Sequence, residues 1–157
     1  MKILLVDDHR IFLDGLKSLM HIRGIEVVGM ACDGLEAVEK AHAMKPEVIL
    51  MDIRMPNLDG LAATRIIKAE IPYIKIVMLS VSQRDEDLFE ALKSGASGYL
   101  LKSDDTEKFF QLLSGVMHGE VPLSPGLARR VLAEFAREGV GNKFAGRSDE
   151  KGHFLTS

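Results

Sequence analysis

Residues 47–60 read EVILMDIRMPNLDG, an apolar run that ends in an aspartate and is followed by a turn. The run Glu47–Met51 is short and almost continuously apolar, which is typical of a strand buried on both faces of a parallel sheet. Pro56 and Asn57 favour a turn shortly after this strand. The segment therefore predicts that Asp52 lies at the carboxyl end of a buried strand.

Similar apolar runs lie on both sides of this segment, and a helical pattern follows each of them. The further predicted strands are Lys2–Val6, Ile25–Cys32, Ile74–Leu79 and Gly98–Leu101. Apolar spacing predicts helices between the strands and after the last one. The first predicted helix has its face at Phe12, Gly15, Leu16, Leu19 and Met20, and the third carries Leu61, Ala62, Arg65, Ile66 and Ala69. This alternation predicts an α/β fold, a parallel sheet with helices on both faces.

Polar side chains follow four of the five predicted strands. Asp7 and Asp8 follow the first strand, Asp52 the third, Ser80 the fourth and Lys102 the fifth. Ligands of open parallel sheets bind beyond the carboxyl ends of the strands, where the strand order reverses. If the order is 2-1-3-4-5, the three carboxylates meet there and repel each other. Mg²⁺ would neutralise them, and the lysine and serine could then contact a phosphoryl group.

Each of these residues also has an ordinary structural interpretation. Asp7 and Asp8 could cap the first helix, and Asp52 could be a turn aspartate. Lys102 could be a solvated surface lysine, and Ser80 alone carries almost no information. The functional interpretation depends on all of them lying at one edge of the sheet.

Four segments of the chain together resemble the receiver domain of two-component response regulators. They are residues 4–9 (LLVDDH), 48–60 (VILMDIRMPNLDG), 77–80 (VMLS) and 95–102 (GASGYLLK). The resemblance covers residues 1 to about 120. It implies a flavodoxin-like (CheY-like) fold with five strands in the order 2-1-3-4-5. It also implies a phosphorylated switch in a signalling pathway, not a metabolic enzyme.

The resemblance implies a specific role for each acidic residue. Asp52 would accept a phosphoryl group from a phosphohistidine of a sensor histidine kinase. Asp8, Asp52 and the backbone carbonyl of Arg54 would bind Mg²⁺ directly, and Asp7 would bind it through water.

Lys102 and Ser80 would contact the phosphoryl group, and Ser80 and Tyr99 would form the switch, with the Tyr99 ring turning inward on activation. Two positions depart from the pattern of many relatives. Val81 follows the switch serine where many relatives have a smaller residue, which predicts slow dephosphorylation. Ser103 follows the lysine where many have proline, so the isomer of that peptide bond stays open.

The last part of the chain resembles the interdomain linker of the NarL/FixJ (LuxR-type) branch. Ser124 and Pro125 begin a further amphipathic helix, and residues 139–152 are polar and rich in glycine. We therefore expect a receiver domain at 1–120 and a linker helix with a flexible tail at 121–157. DNA would be bound only through a helix-turn-helix domain absent from this chain. A stand-alone receiver, acting as a protein-interaction module, is the alternative.

Composition limits the other classes of function. The net charge of −3 gives this piece no electrostatic reason to bind nucleic acid. No apolar run approaches the length of a membrane span, and no signal peptide precedes the first strand, so we expect a cytoplasmic protein with no membrane partner. Cys32 is expected to be a small buried apolar residue. A homodimer could form on phosphorylation.

Two other functions fit the sequence poorly. A phosphatase of the dehalogenase-like class needs a second aspartate two residues after the first, and position 54 is Arg54. A flavin or nucleotide binder needs a glycine- or hydroxyl-rich loop after the first strand. The segment from Asp8 to Phe12 has no glycine.

Overall fold

The computed structural model describes residues 1–81, 84–116, 118, 119, 129, 132, 133, 136 and 137. Within them, five strands alternate with five helices. The strands are β1 (Lys2–Val6), β2 (Glu26–Ala31), β3 (Val48–Asp52), β4 (Lys75–Ser80) and β5 (Gly98–Leu101). The helices are α1 (Arg10–Ile22), α2 (Gly34–Met44), α3 (Gly60–Glu70), α4 (Asp85–Lys93) and α5 (Thr106–Val116).

The five strands form one parallel sheet in the order β2-β1-β3-β4-β5, which confirms the predicted topology. The first strand lies between β2 and β3, so the strand order reverses beside it. In the ladders, Asp52 lies opposite Leu79 and Ser80 lies opposite Leu101. The carboxyl ends of β3, β4 and β5 therefore lie level with each other at one edge of the sheet.

Alternating side chains of the sheet divide the core into two clusters of buried residues. Ile3 and Leu5 of β1 pack with α1 and α5, and Leu4 and Val6 pack with α2, α3 and α4. All four side chains are at least 98% buried, so β1 contributes fully to both cores. The prediction of helices on both faces is confirmed.

The predicted helix faces are partly wrong. In α1, Leu13 is buried, whereas Gly15 is exposed and Leu19 is 40% exposed. The buried residues of α3 are Gly60, Ala63, Thr64 and Ile67, and none of them belongs to the predicted set. Both helices have more apolar residues than one face can hold, so apolar spacing alone did not determine which face is buried. Phe12 is half-buried, beside the groove between α1 and α5.

Two glycines hold the loop between β3 and α3 against the sheet. The N–H of Gly60 donates to the carbonyl of Ile53 at 2.7 Å, and a Cβ on this glycine would lie 2.1 Å from the carbonyl oxygen of Asp52. The N–H of Gly34 donates to the carbonyl of Leu58 at 2.9 Å, and a Cβ there would lie 2.2 Å from that oxygen. Neither position has space for a side chain.

Side-chain caps fix the same loop from the neighbouring helices. Asp33 caps α2 by accepting the N–H of Glu36 at 2.8 Å, and the amide of Asn57 donates to its second oxygen at 2.7 Å. These two donors lower the pKa of the Asp33 carboxyl. Asp59 caps α3 by accepting the N–H of Ala62 at 2.8 Å. The turn after β3 is therefore tied to both α2 and α3.

Three predictions concern residues that lie largely outside the described ones. They are the linker helix from Ser124, the glycine-rich segment 139–152 and the domain boundary near 120. Five separate positions in this part are described, and each is helical and exposed. They are Arg129, Leu132, Ala133, Ala136 and Arg137. No helix among the described residues is long and apolar enough to cross a membrane.

We expect Gly60→Ala to lower the free energy of unfolding by about 3 kcal/mol or more, because the new methyl group must displace the backbone of β3 at Asp52. Gly15→Ala is the matched control, since no heavy atom lies within 4 Å of the methyl group that it adds in α1. This control should raise stability by roughly 0.5–1 kcal/mol. Urea unfolding measures both. Equal effects of the two substitutions on the free energy of unfolding would contradict the close packing of Gly60 against the Asp52 carbonyl.

Candidate functional site

The edge formed by the carboxyl ends of the strands brings the predicted residues together. Asp7 is 2% exposed, Asp52 is 8% exposed and Ser80 is 6% exposed, so three polar side chains are buried here. The backbone N–H of Lys102 donates to the carbonyl of Ser80 at 2.8 Å and continues the ladder between β4 and β5. The sheet therefore aims the lysine at the carboxylates.

The ammonium group of Lys102 lies between two carboxylates. Its Nζ is 2.6 Å from Oδ2 of Asp7 and 3.6 Å from Oδ2 of Asp52, and its side chain is 12% exposed. The closer contact is an ion pair without hydrogen bond alignment. Among the described residues, that Asp7 oxygen is buried without a hydrogen bond donor. The lysine is thus paired more closely with Asp7 than with the predicted acceptor.

Asp8 and His9 complete the acidic cluster on its open side. The Asp8 side chain is 32% exposed. The backbone N–H and Nδ1 of His9 both lie 2.9 Å from Oδ1 of Asp7, and Nδ1 lies 3.3 Å from Oδ1 of Asp8. Sequence reasoning missed this histidine, whose only signal was its position directly after the two aspartates.

Burial of Asp52 raises the pKa of its carboxyl above the ordinary value of 3.8, and the nearby Asp7 carboxylate raises it further. The Lys102 ammonium and the N–H of Ile53 act in the opposite direction but do not cancel the rise. Without a further cation, the site therefore holds more negative charge than its own groups neutralise.

The cluster fits a hard divalent cation. One ligand atom from each of Asp7, Asp8, His9 and Asp52 lies within 4.8 Å of the others. Carboxylate oxygens are the ligands that Mg²⁺ prefers, and one ammonium is the positive group that the buried Asp7 and Asp52 carboxylates share. The ligand roles predicted for these residues and for the Arg54 carbonyl stay predictions.

The side chain of Arg54 connects the loop between β3 and α3 to α4. It is 71% exposed, and its guanidinium lies 3.2 Å from Oδ1 of Asp87. This ion pair is a side-chain link between the loop after Asp52 and α4.

The remaining predicted residues lie around this cluster. Tyr99 is 1% exposed, so its ring is already inside the core. Val81 is 75% exposed at the end of β4. The described residues contain no cis peptide bond, so the bond before Ser103 is trans. Cys32 is only half-buried, which makes the prediction of a fully buried thiol wrong, because the residue follows the last residue of an edge strand.

A family model for the response regulator receiver domain matches residues 3–114. The chain belongs to this family. It is therefore a receiver domain of two-component response regulators, a class of signalling proteins distinct from metabolic enzymes. The match covers β1 from Ile3 onward, the other four strands in full and most of α5. The predicted family and fold are confirmed.

Known proteins from several bacteria are similar to this receiver domain. The transcriptional regulatory protein LnrK of Bacillus subtilis is 38% identical over 138 residues, which are 87% of this chain and 63% of LnrK. A LuxR-family two-component response regulator from Aurantimonas has a solved structure with a TM-score of 0.80 and 32% identity, covering 86% of this chain and 97% of that one. CheY in the CheX–CheY–BeF₃–Mg²⁺ complex of Borrelia burgdorferi matches with a TM-score of 0.70 and 26% identity, covering 74% of this chain and 89% of that one. This chain therefore spans less than two thirds of the length of LnrK.

The raised pKa of Asp52 predicts how stability depends on pH. The folded state holds this proton more tightly than the unfolded chain, so ionisation of the carboxyl destabilises the fold as pH rises above about 4. In EDTA at neutral pH, we expect Asp52→Asn to raise Tm. The gain should disappear below about pH 4, where the parent carboxyl is also neutral.

Asp14→Asn, which removes an exposed carboxylate on α1, is the matched control and should change Tm little. Mg²⁺ should raise Tm of the parent and narrow its difference from Asp52→Asn, because a cation that binds the folded state stabilises it. Thermal unfolding by circular dichroism measures both effects. A lower Tm for Asp52→Asn at neutral pH in EDTA would contradict this electrostatic interpretation.

Proposed function

We propose that Asp52 accepts a phosphoryl group from a phosphohistidine of a sensor histidine kinase. The observation that carries the proposal is the buried position of Asp52 at the end of β3, with the Lys102 ammonium 3.6 Å away. In the transfer, a carboxylate oxygen of Asp52 bonds to phosphorus as the bond from phosphorus to the histidine nitrogen breaks. The lysine would stabilise the charge on the transferred oxygens.

We infer that Mg²⁺ supports this transfer by bringing carboxylate and phosphoryl oxygens together and neutralising their charge. Asp8, Asp52 and the backbone carbonyl of Arg54 would hold the ion directly, and Asp7 would hold it through water. The oxygen-rich cluster at the sheet edge supports this assignment. The similar CheY structure contains Mg²⁺ and BeF₃.

The switch would begin when Lys102 and Ser80 contact the new phosphoryl oxygens. Phosphorylation adds roughly −1.5 to −2 charges and three strong acceptors. Tyr99 is already buried, so we propose that phosphorylation stabilises this inward position of the ring rather than creating it. The surface of α4, β5 and α5 would then change shape and could support a homodimer.

We further propose that the whole protein is a cytoplasmic regulator of transcription. Its receiver would occupy 1–120, and a linker helix and tail at 121–157 would lead to a DNA-binding domain. The name of LnrK and the LuxR-family relative support this output, and the chain spans 63% of LnrK.

The central experiment is phosphoryl transfer to this chain. With Mg²⁺ and acetyl phosphate, we expect the parent to gain one phosphoryl group per chain and Asp52→Asn to gain none, because the amide is not a nucleophile. Asp59→Asn is the matched control, since asparagine also caps a helix and position 59 lies in the same loop. Intact mass and phosphate-affinity electrophoresis measure the product. Equal incorporation in Asp52→Asn and the parent would refute the assignment of the acceptor.

Val81 should slow the loss of the phosphoryl group, because its branched side chain follows the switch serine and restricts the approach of water to the acyl phosphate. We expect Val81→Ala to shorten the half-life of the phosphorylated domain several-fold. Ile22→Ala is the matched control, because Ile22 is 76% exposed and Val81 is 75% exposed. Release of inorganic phosphate measures the rate. An unchanged half-life in Val81→Ala would count against this role.

A further inference from the structure

The ring of Phe12 faces the ammonium group at the candidate site. Phe12 lies in the first turn of α1, and Nζ of Lys102 is 4.5 Å from the centre of its ring. Both residues line a groove of about 110 Å³ between α1 and α5, together with Leu16, Leu79 and Phe109. The aromatic residue is therefore in direct contact with the lysine of the site.

Three groups surround the ammonium in this arrangement. Two are the carboxylates of Asp7 at 2.6 Å and Asp52 at 3.6 Å, and the third is the face of the Phe12 ring. The negative face of an aromatic ring attracts a cation, most strongly where water is excluded. The lysine side chain is 12% exposed, so most of this contact is shielded from water.

We propose that Phe12 is a positioning residue that holds the Lys102 ammonium beside Asp52 through a cation–π contact. The proposal rests on the proposed phosphorylation of Asp52. To contact a phosphoryl group, the ammonium must loosen its short ion pair with Asp7. The ring attracts the cation but carries no net charge, so it does not repel the incoming anion as a third carboxylate would.

Phe12 also prevents the lysine from extending into the groove. Leu16, Leu79 and Phe109 offer an apolar surface there, to which a lysine stem could adapt. The ring lines the groove beside the ammonium, and the charged group lies between the ring and the carboxylates. Phe12 would act on the Lys102 ammonium through the π electrons of its ring and through the position of that ring. Different substitutions at position 12 change these two properties separately.

The first measurement needs no phosphorylation. In the unphosphorylated chain, we expect the ε-methylene protons of Lys102 to be shifted upfield by the ring current of Phe12. The shift should be lost in Phe12→Leu, and near-unchanged amide spectra of β1 and β3 would show that this variant is folded. Equal ε-methylene shifts in the parent and Phe12→Leu would overturn the contact.

The second measurement tests the electrons of the ring. Monofluoro-, difluoro- and trifluorophenylalanine at position 12 keep the shape of the ring while progressively weakening its negative face. We expect the rate of phosphorylation by acetyl phosphate to fall stepwise, by roughly threefold for the trifluoro ring, as a partly buried cation–π contact implies. The same series at Phe110 is the matched control, because that ring lies in the same groove but contacts Arg23, whose Cζ is 4.4 Å from the ring centre.

A rate that is constant along the series at position 12, or that falls equally at position 110, would overturn the positioning role. Absence of phosphorylation in the parent itself would instead refute the proposed function, and the kinetic role of the ring with it. The ring-current shift is measured without phosphate donor, so it separates these two failures.

Discussion

Repulsion among carboxylates at one edge of the sheet is the constraint on which this structure depends. The strand order places Asp7 and Asp52 in neighbouring strand ends, and burial removes most of the water that would screen them. One ammonium lies between them, and the pKa of Asp52 remains raised. The fold therefore keeps an excess of negative charge in a fixed position, which is the charge that the proposed divalent cation would neutralise.

The surrounding backbone is built to keep this charge in place. Gly60 and Gly34 bring the starts of two helices into close contact with β3 and the loop that follows it. The hydrogen bond from Asn57 to Asp33 fixes the turn in that loop. The loop therefore has little freedom to relieve the repulsion by moving away. The same rigidity makes the loop a firm base from which the Arg54 guanidinium contacts α4.

The sequence was sufficient to predict the strands, their order and the convergence of Asp7, Asp52, Ser80 and Lys102. The strands follow from apolar runs, and their order was implied by the resemblance to receiver domains. The convergence then follows because parallel strands end at a common edge. The contacts within the cluster were not predictable, because strand ends fix positions only to within several ångströms. The closer pairing of the lysine with Asp7, and the contact of its ammonium with an aromatic ring, depend on side-chain rotamers and on the rotation of α1. That rotation was predicted incorrectly, since Gly15 and Leu19 face outward.

The two clusters of buried side chains have no residue in common among those described. Helices α1 and α5 belong to one cluster, and α2, α3 and α4 belong to the other. The two faces of the sheet are therefore packed against separate sets of helices. Strands β1, β3, β4 and β5 contribute side chains to both clusters, so the backbone of these strands joins them. The surface of α4, β5 and α5 that we propose to change on phosphorylation therefore spans both clusters, and a concerted change there has to involve β5.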